Sequence, residues 1–382
     1  MKKMLLFVLL GNIIVFAHAQ VGSTSLTFQD PSRSNRSIPC EVYYPSANSG
    51  ANSPVLPGVY PVVVVGHGFV IGISSYELIA DYLVPQGFVV ALVNTEGGFA
   101  PSHGDFGLDL AFAAHALQAE GANATSILYG AIDPAKEAIV GHSMGGGAAW
   151  LAASNDNSID AIVGLAPAET NPSAIAAAAS VQCPVLIFSG SDDTVTPAAD
   201  NHTPIFDATN TSCKFFVNLE GGSHCGYIPA GSLCDFGEPL GGSLSRANQQ
   251  AAYLALLDIW LRQVLKSECT EAEWQATLLQ YPFALANSNL LTCLPCIGVD
   301  EEENTSFQIY PNPNNGDVFL NGISKRANLV RIYAMDGTLI TEEKVSGQKQ
   351  ISISSELNNG IYLVELIGEM GKISEKKMIV IK

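Results

Sequence analysis

The sequence predicts an α/β protein with a mostly parallel sheet covered by helices, followed by a small all-β sandwich. Two observations carry this. From Cys40 to about Leu265, short apolar runs alternate with segments of helical length and spacing. Beyond residue 297 the pattern changes to period-two alternation broken by Asn-Gly and Asp-Gly turns.

In the first region the strand candidates are CEVYYP, PVVVVGH, FVVALVN, EAIVGHS, DAIVGLAP, CPVLIFSG and CKFFVNLEG. Several are apolar at nearly every position, as strands covered on both faces must be. Helices are expected at SSYELIADYLVPQG, DFGLDLAFAAHALQAEG, GGGAAWLAASN and the long SRANQQAAYLALLDIWLRQVLKS, with SAIAAAASVQ a shorter one. The boundaries that follow are a catalytic body over 20–296, an acidic linker (GVDEEENTS) over 297–306, and a C-terminal domain over 307–382.

The N-terminus combines Lys2 and Lys3, an apolar run from Met4 to Ala17, and the small-x-small pattern Ala17-His18-Ala19. This reads as a secretory signal peptide over 1–19, with the mature chain starting at Gln20. A membrane-spanning helix needs about 20 apolar residues, and Gly11-Asn12 interrupts this run. Net charge is −18, or −20 without the two lysines. Such an acidic chain repels phosphate backbones, so nucleic acid is not an expected partner, and neither is an anionic membrane.

All eight cysteines lie beyond the signal segment, in an exported chain where disulfides persist. Cys225 and Cys234 enclose a short loop and are the expected pair, while Cys183 and Cys213 each precede a strand-like run. Cys293 and Cys296 form a C-x-x-C, but with only Cys269 nearby and no second such motif, a structural bridge is expected there rather than zinc or redox chemistry.

Gly141-His142-Ser143-Met144-Gly145 fits G-x-S-x-G, with an apolar strand before it and a Gly-Ala-rich helix after it. A serine is too weak a nucleophile alone, so a base and an orienting acid are required. In this arrangement the chain order is Ser, acid, His; of the seven histidines only His202 and His224 follow Ser143. His224 lies in LEGGSHCG, just past a strand, where open α/β sheets present active groups. His202, at a helix start, is expected to be exposed or capping. The acid is Asp192 or Asp193, both just past VLIFSG, and the residues alone do not choose between them. Met144 offers a backbone N–H to a developing oxyanion, and Phe69 in GHGFV a second, with its ring as a wall of the acyl pocket.

SILYGAIDPAKEAIVGHSMGGGAAW, SGSDDTVTPAADNHTPIFDA and FVNLEGGSHCG resemble the serine, aspartate and histidine blocks of the cutinase and polyester hydrolase group. That group belongs to the wider clan of dienelactone hydrolases, chlorophyllases and platelet-activating-factor acetylhydrolases. The resemblance covers about residues 38–265 and implies the α/β-hydrolase fold. It assigns Ser143 as nucleophile, Asp193 as acid, His224 as base, and the Phe69 and Met144 amides as the oxyanion hole. Two departures bear on substrate. Where the polyester-cleaving members carry a tryptophan, this chain has Ala168 and Glu169, and its oxyanion loop reads HGF where theirs reads PGY.

The C-terminal region holds nine of the sixteen Lys and Arg residues beyond the signal segment and no His. YPNPNNG, YAMDG and LNNGIYLVEL resemble the type A C-terminal sorting domain of the type IX secretion system, which implies a gram-negative host and a cell-surface or extracellular protein. A sugar-binding sandwich is the alternative, with Tyr310, Tyr333 and Tyr362 as its platform, although their places in alternating runs favour core packing.

The expected function is that of a secreted serine carboxylic ester hydrolase working through an acyl-enzyme, with no cofactor and no catalytic metal. A cutinase-like polyester hydrolase is the nearer alternative. A non-catalytic surface-binding protein is the more distant one.

Overall fold

The computed structural model describes residues 19–294 and 307–381, except 315–316, 322, 324–326, 346–349, 355–356 and 369–370. The expected signal segment, save Ala19, and the expected linker fall outside the described residues. The chain divides into two compact units, one within residues 1–296 and one within 297–382.

The larger unit is built on ten strands: β1 (Gln20–Asp30), β2 (Arg36–Ser46), β3 (Gly50–Ala51), β4 (Tyr60–Gly66), β5 (Val89–Val93), β6 (Ile132–His142), β7 (Ala161–Leu165), β8 (Val185–Gly190), β9 (Lys214–Leu219) and β10 (Ala284–Ala286). They form one sheet in the order β10-β9-β8-β7-β6-β4-β5-β2-β1-β3. Strands β4 to β9 are mutually parallel, flanked by antiparallel β2 and β1 on one side and β10 on the other. Its helices are α1 (Glu77–Leu83), α2 (His103–Ala122), α3 (Met144–Asn155), α4 (Ala174–Ala178), α5 (His202–Ala208), α6 (Cys234–Gly237), α7 (Arg246–Lys266) and α8 (Glu271–Gln280).

The unbroken apolar strands are explained by what lies on each face. Val63, Val65, Val140, Val163 and Phe188 point to one side, onto Tyr253, Leu257 and Trp260 of α7 and Ile79 of α1. The alternate residues Val62, Val64, Ile139, Ile162 and Ile187 point to the other, onto Phe106 and Leu110 of α2 and Trp150 of α3. Period two thus serves two cores at once, which leaves these stretches with few polar positions. Strand β1 was not among the sequence candidates. Its polar QVGSTSLTFQD buries only one face, and pairing with β2 along its full length, not hydrophobicity, makes it a strand. The α8 helix was likewise missed; Trp274 is its one buried residue.

The smaller unit has two antiparallel sheets. One joins β11 (Gln308–Tyr310), β12 (Asp317–Asn321) and β15 (Gln350–Ser354). The other has the order β14-β13-β16-β17, comprising β13 (Ala327–Ala334), β14 (Leu339–Lys344), β16 (Gly360–Gly368) and β17 (Gly371–Val380). Leu320 of the first sheet and Val330, Ile332, Val364 and Met378 of the second share one core cluster, which is how a sandwich closes. Of the three tyrosines, Tyr362 lies in this core, whereas Tyr310 is 39% exposed and stacks on Phe319.

Candidate active site

The parallel strands present their carboxyl ends to one edge of the sheet. There β4 runs into the loop holding Phe69, β6 into Ser143, β8 into Asp193 and β9 into His224. Sequence positions more than 150 residues apart from Phe69 to His224 meet only because the strand order places β4, β6, β7, β8 and β9 side by side.

Ser143 adopts φ 55° and ψ −119°, a strained conformation for a residue with a side chain, and it caps α3. Its neighbours explain how the turn is tolerated. A Cβ on Gly141 would lie 2.0 Å from the Gly145 carbonyl oxygen, and one on Gly145 would lie 2.3 Å from that of Gly66. The turn therefore closes only with glycine at both positions. Main-chain bonds then hold it: Ser143 N donates to Leu165 O (3.0 Å), and Ser143 O accepts from Ala168 N (2.9 Å) and Gly147 N (3.1 Å).

Asp193 and His224 meet through Nδ1 and Oδ2 at 2.9 Å, both side chains nearly inaccessible. The other carboxylate oxygen of Asp193 accepts from the amides of Val195 (2.9 Å) and Thr196 (2.7 Å). Burial works to raise the Asp193 pKa, but the hydrogen bond and charge of His224, together with the Thr196 amide, outweigh it and hold the carboxyl below its usual value. Asp192 is elsewhere: its carboxylate accepts from Ser243 N and Oγ (2.8 and 2.7 Å) and pins the surface loop. The structure thus brings Asp193, not Asp192, to the imidazole.

Three groups at this site were not expected there from the sequence. Thr196 Oγ1 lies 3.0 Å from Asp193 Oδ2 and 2.8 Å from His224 Nδ1. Glu238, buried in the loop after His224, accepts from His224 N (3.0 Å) and Cys225 N (2.9 Å) and so fixes the backbone that carries the imidazole. His202 corrects an expectation: it is fully buried, not an exposed cap, with Nδ1 2.8 Å from Ser189 Oγ and Nε2 3.1 Å from Thr196 Oγ1. Burial pushes its pKa down to about 4, so it stands behind Asp193 as a neutral ring.

Met144 is buried at the first position of α3, where its amide faces the end of the sheet. Phe69 is 45% exposed and meets Phe99, which is 85% exposed, edge to face at 6.4 Å between ring centroids. Glu169, where the resembling enzymes carry a tryptophan, spends its carboxylate on the Ile175 amide at the start of α4 (2.9 Å). Among the described residues, no group of three or more His, Cys, Asp or Glu side chains is placed to hold a metal ion.

Cys225 and Cys234 form a disulfide that closes the loop just after His224. Cys213 pairs with Cys293, 80 residues away, and Cys183 is a free thiol. The Cys213–Cys293 bond staples the start of β9 to the end of the body, a link that spacing could not reveal. Glu238 caps the short α6 helix that begins at Cys234, and replacing both cysteines by serine is expected to destabilise the fold by about 2–3 kcal/mol. It is also expected to lower ester turnover several-fold. A thermal melt with parallel rate measurements checks both, and unchanged turnover would show that Glu238 holds its place unaided.

This strand order, with a serine elbow after β6 and helices on both faces, is the architecture of the α/β hydrolases. Residues 15–235, over half of the chain, match the PET hydrolase-like family, and the chain belongs to that family. It is 28% identical over 184 residues to a bis(hydroxyethyl) terephthalate hydrolase of Streptomyces coelicolor, covering 48% of this chain and 54% of that protein. It is 27% identical over 185 residues to cutinase 2 of Thermobifida cellulosilytica (48% and 64%) and to a cutinase of Thermobifida fusca (48% and 52%). The chain therefore spans between about half and two thirds of the length of these relatives. Residues 308–382 match the secretion system C-terminal sorting domain, which marks the protein as secreted or cell-surface. No described helix is long and apolar enough to cross a membrane.

Proposed function

We propose that the protein is a serine carboxylic ester hydrolase in which Ser143 attacks the ester carbonyl and His224 takes its proton. Asp193 holds the imidazole with Nδ1 protonated and stabilises the imidazolium that forms. The amides of Phe69 and Met144 receive the oxyanion, and the leaving alcohol takes its proton from His224 Nε2. Water then enters, gives a proton to His224 and releases the acid from Ser143. The observation that carries this reading is the 2.9 Å Asp193–His224 contact at the same sheet edge as a serine held at positive φ.

A second reading, hydrolysis of aromatic polyester, is favoured by the exposed edge-to-face pair of Phe69 and Phe99, a ready surface for an aromatic acyl group. The test is one preparation of the mature chain given a short p-nitrophenyl ester, then a polyester film, then a fluorophosphonate. Turnover of the ester, with one phosphonyl group found on the Ser143 peptide, supports the proposal; release of soluble acids from film adds the second reading. A folded protein that neither turns over the ester nor takes the label overturns it.

A further inference from the structure

One of the two oxyanion amides of the proposed reaction, that of Phe69, belongs to the peptide joining Gly68 to Phe69, whose carbonyl oxygen is met by His67 Nδ1 at 2.8 Å and Ile71 N at 3.1 Å. An amide stabilises charge in the transition state only when it is already aimed there, since turning it during the reaction costs what the bond would gain. The preceding peptide, which carries Gly68 N, must also be held for the loop to keep its course, and His67 stands there where the resembling enzymes have a ring-locked proline.

The structure supplies a chain of contacts. Tyr76, 1% exposed, closes the short turn before α1. Its hydroxyl accepts from Gly68 N at 2.8 Å and lies 2.8 Å from His142 Nδ1. His142 directly precedes Ser143, is also 1% exposed, and places Nε2 3.0 Å from the carbonyl oxygen of His224. A carbonyl only accepts, so His142 carries its proton on Nε2 and offers Nδ1 as an acceptor. The Tyr76 hydroxyl must then donate to His142 while its lone pair takes the Gly68 amide. With the imidazole neutral, each donor has one acceptor and no other assignment satisfies all three contacts. Burial pushes the His142 pKa down to about 3 and that of Tyr76 upward, so neither group changes charge near neutral pH.

Gly68 sits hard against this pair. A Cβ there would fall 2.8 Å from Ile71 Cδ1, 3.2 Å from His142 Nδ1 and 3.3 Å from the Tyr76 hydroxyl. The His142 ring in turn lies 4.8 Å from that of His224, centroid to centroid.

We propose that Tyr76 is a positioning residue for ester hydrolysis: its hydroxyl holds the oxyanion loop at Gly68 and, through His142, ties that loop to the main chain of His224. The Phe69 loop and the general base come from segments far apart in the chain, and Tyr76 sets the spacing between them. This rests on the ester-hydrolase reading above.

The experiment is Tyr76→Phe in the full mature chain, which deletes one oxygen and leaves the ring. Removing an oxyanion donor outright costs about a hundred- to a thousand-fold, and loosening one should cost roughly tenfold in kcat. KM is expected to stay within about twofold, because the contact is exploited only as charge develops. Affinity for a trifluoromethyl ketone, whose hemiketal oxyanion occupies the same hole, should fall by the same factor as kcat/KM. Gly68→Ala approaches the contact from the other partner. It should also lower kcat, and the double variant should fall no further than the worse single one.

A Tyr76→Phe enzyme that melts lower but keeps kcat and its ketone affinity overturns the inference, as does a loss that lies wholly in KM or strictly multiplicative single losses. Should Tyr76→Phe fail to fold, Gly68→Ala decides by the same kcat and ketone readings. A wild-type protein inert toward esters overturns the functional reading itself, a result distinct from any of these.

Discussion

Ser143→Ala is expected to lower kcat for a soluble ester by about a million-fold, leaving only what binding and the oxyanion amides achieve without a nucleophile. The fold should be unaffected. Alanine places the same Cβ at the same φ of 55°, and the bonds that hold the turn, to Leu165, Ala168 and Gly147, are all main-chain. A melting temperature unchanged within a degree or two, beside the collapsed rate, is the expected pair of results. If the variant kept even a tenth of the wild-type rate, the nucleophile would have to lie elsewhere.

Asp193→Asn should lower kcat by about ten-thousand-fold, for a reason that concerns tautomers more than charge. The oxygen facing Val195 N and Thr196 N accepts from two amides and must remain an oxygen, so the new NH2 turns toward His224 Nδ1. Two donors cannot face one another at 2.9 Å. The imidazole answers by moving its proton to Nε2, the nitrogen that should be free to deprotonate Ser143, and the base is lost. Asp192→Asn is the matched control. Its carboxylate serves Ser243 on the surface, so turnover should stay near wild type. Steady-state kcat for the two variants separates them; equal losses would remove the distinction between the two aspartates.

The serine turn and the place of His224 at a strand end were legible because each is a local matter. A sharp strand-to-helix turn needs glycines on both sides of the serine, and that requirement is written into five consecutive residues. His224 was legible by elimination, since it follows Ser143 and sits at a strand end. The continuous apolar runs announced a sheet covered on both faces, because only burial on both sides removes the need for polar positions. The alternation and Asn-Gly turns of the last domain announced its antiparallel sheets in the same way.

The choice between Asp192 and Asp193 is different in kind. The two are adjacent in the chain, and which carboxylate turns inward depends on where β9 sets His224 and on the amides of Val195 and Thr196. Glu238, Thr196, His202 and Tyr76 carry no motif because each acts through hydrogen bonds to partners distant in sequence or aimed by the surrounding fold. The His202 imidazole looks like a helix cap in the sequence and becomes a buried partner of Ser189 and Thr196 only when α5 packs against β8. The Cys213–Cys293 bond has the same origin, because no rule of spacing relates two cysteines 80 residues apart. Sequence determined what a short stretch of chain must do to form its own turn or bury its own faces. Tertiary structure alone decided which polar groups meet, since a hydrogen bond reads distance and angle in space and not separation along the chain.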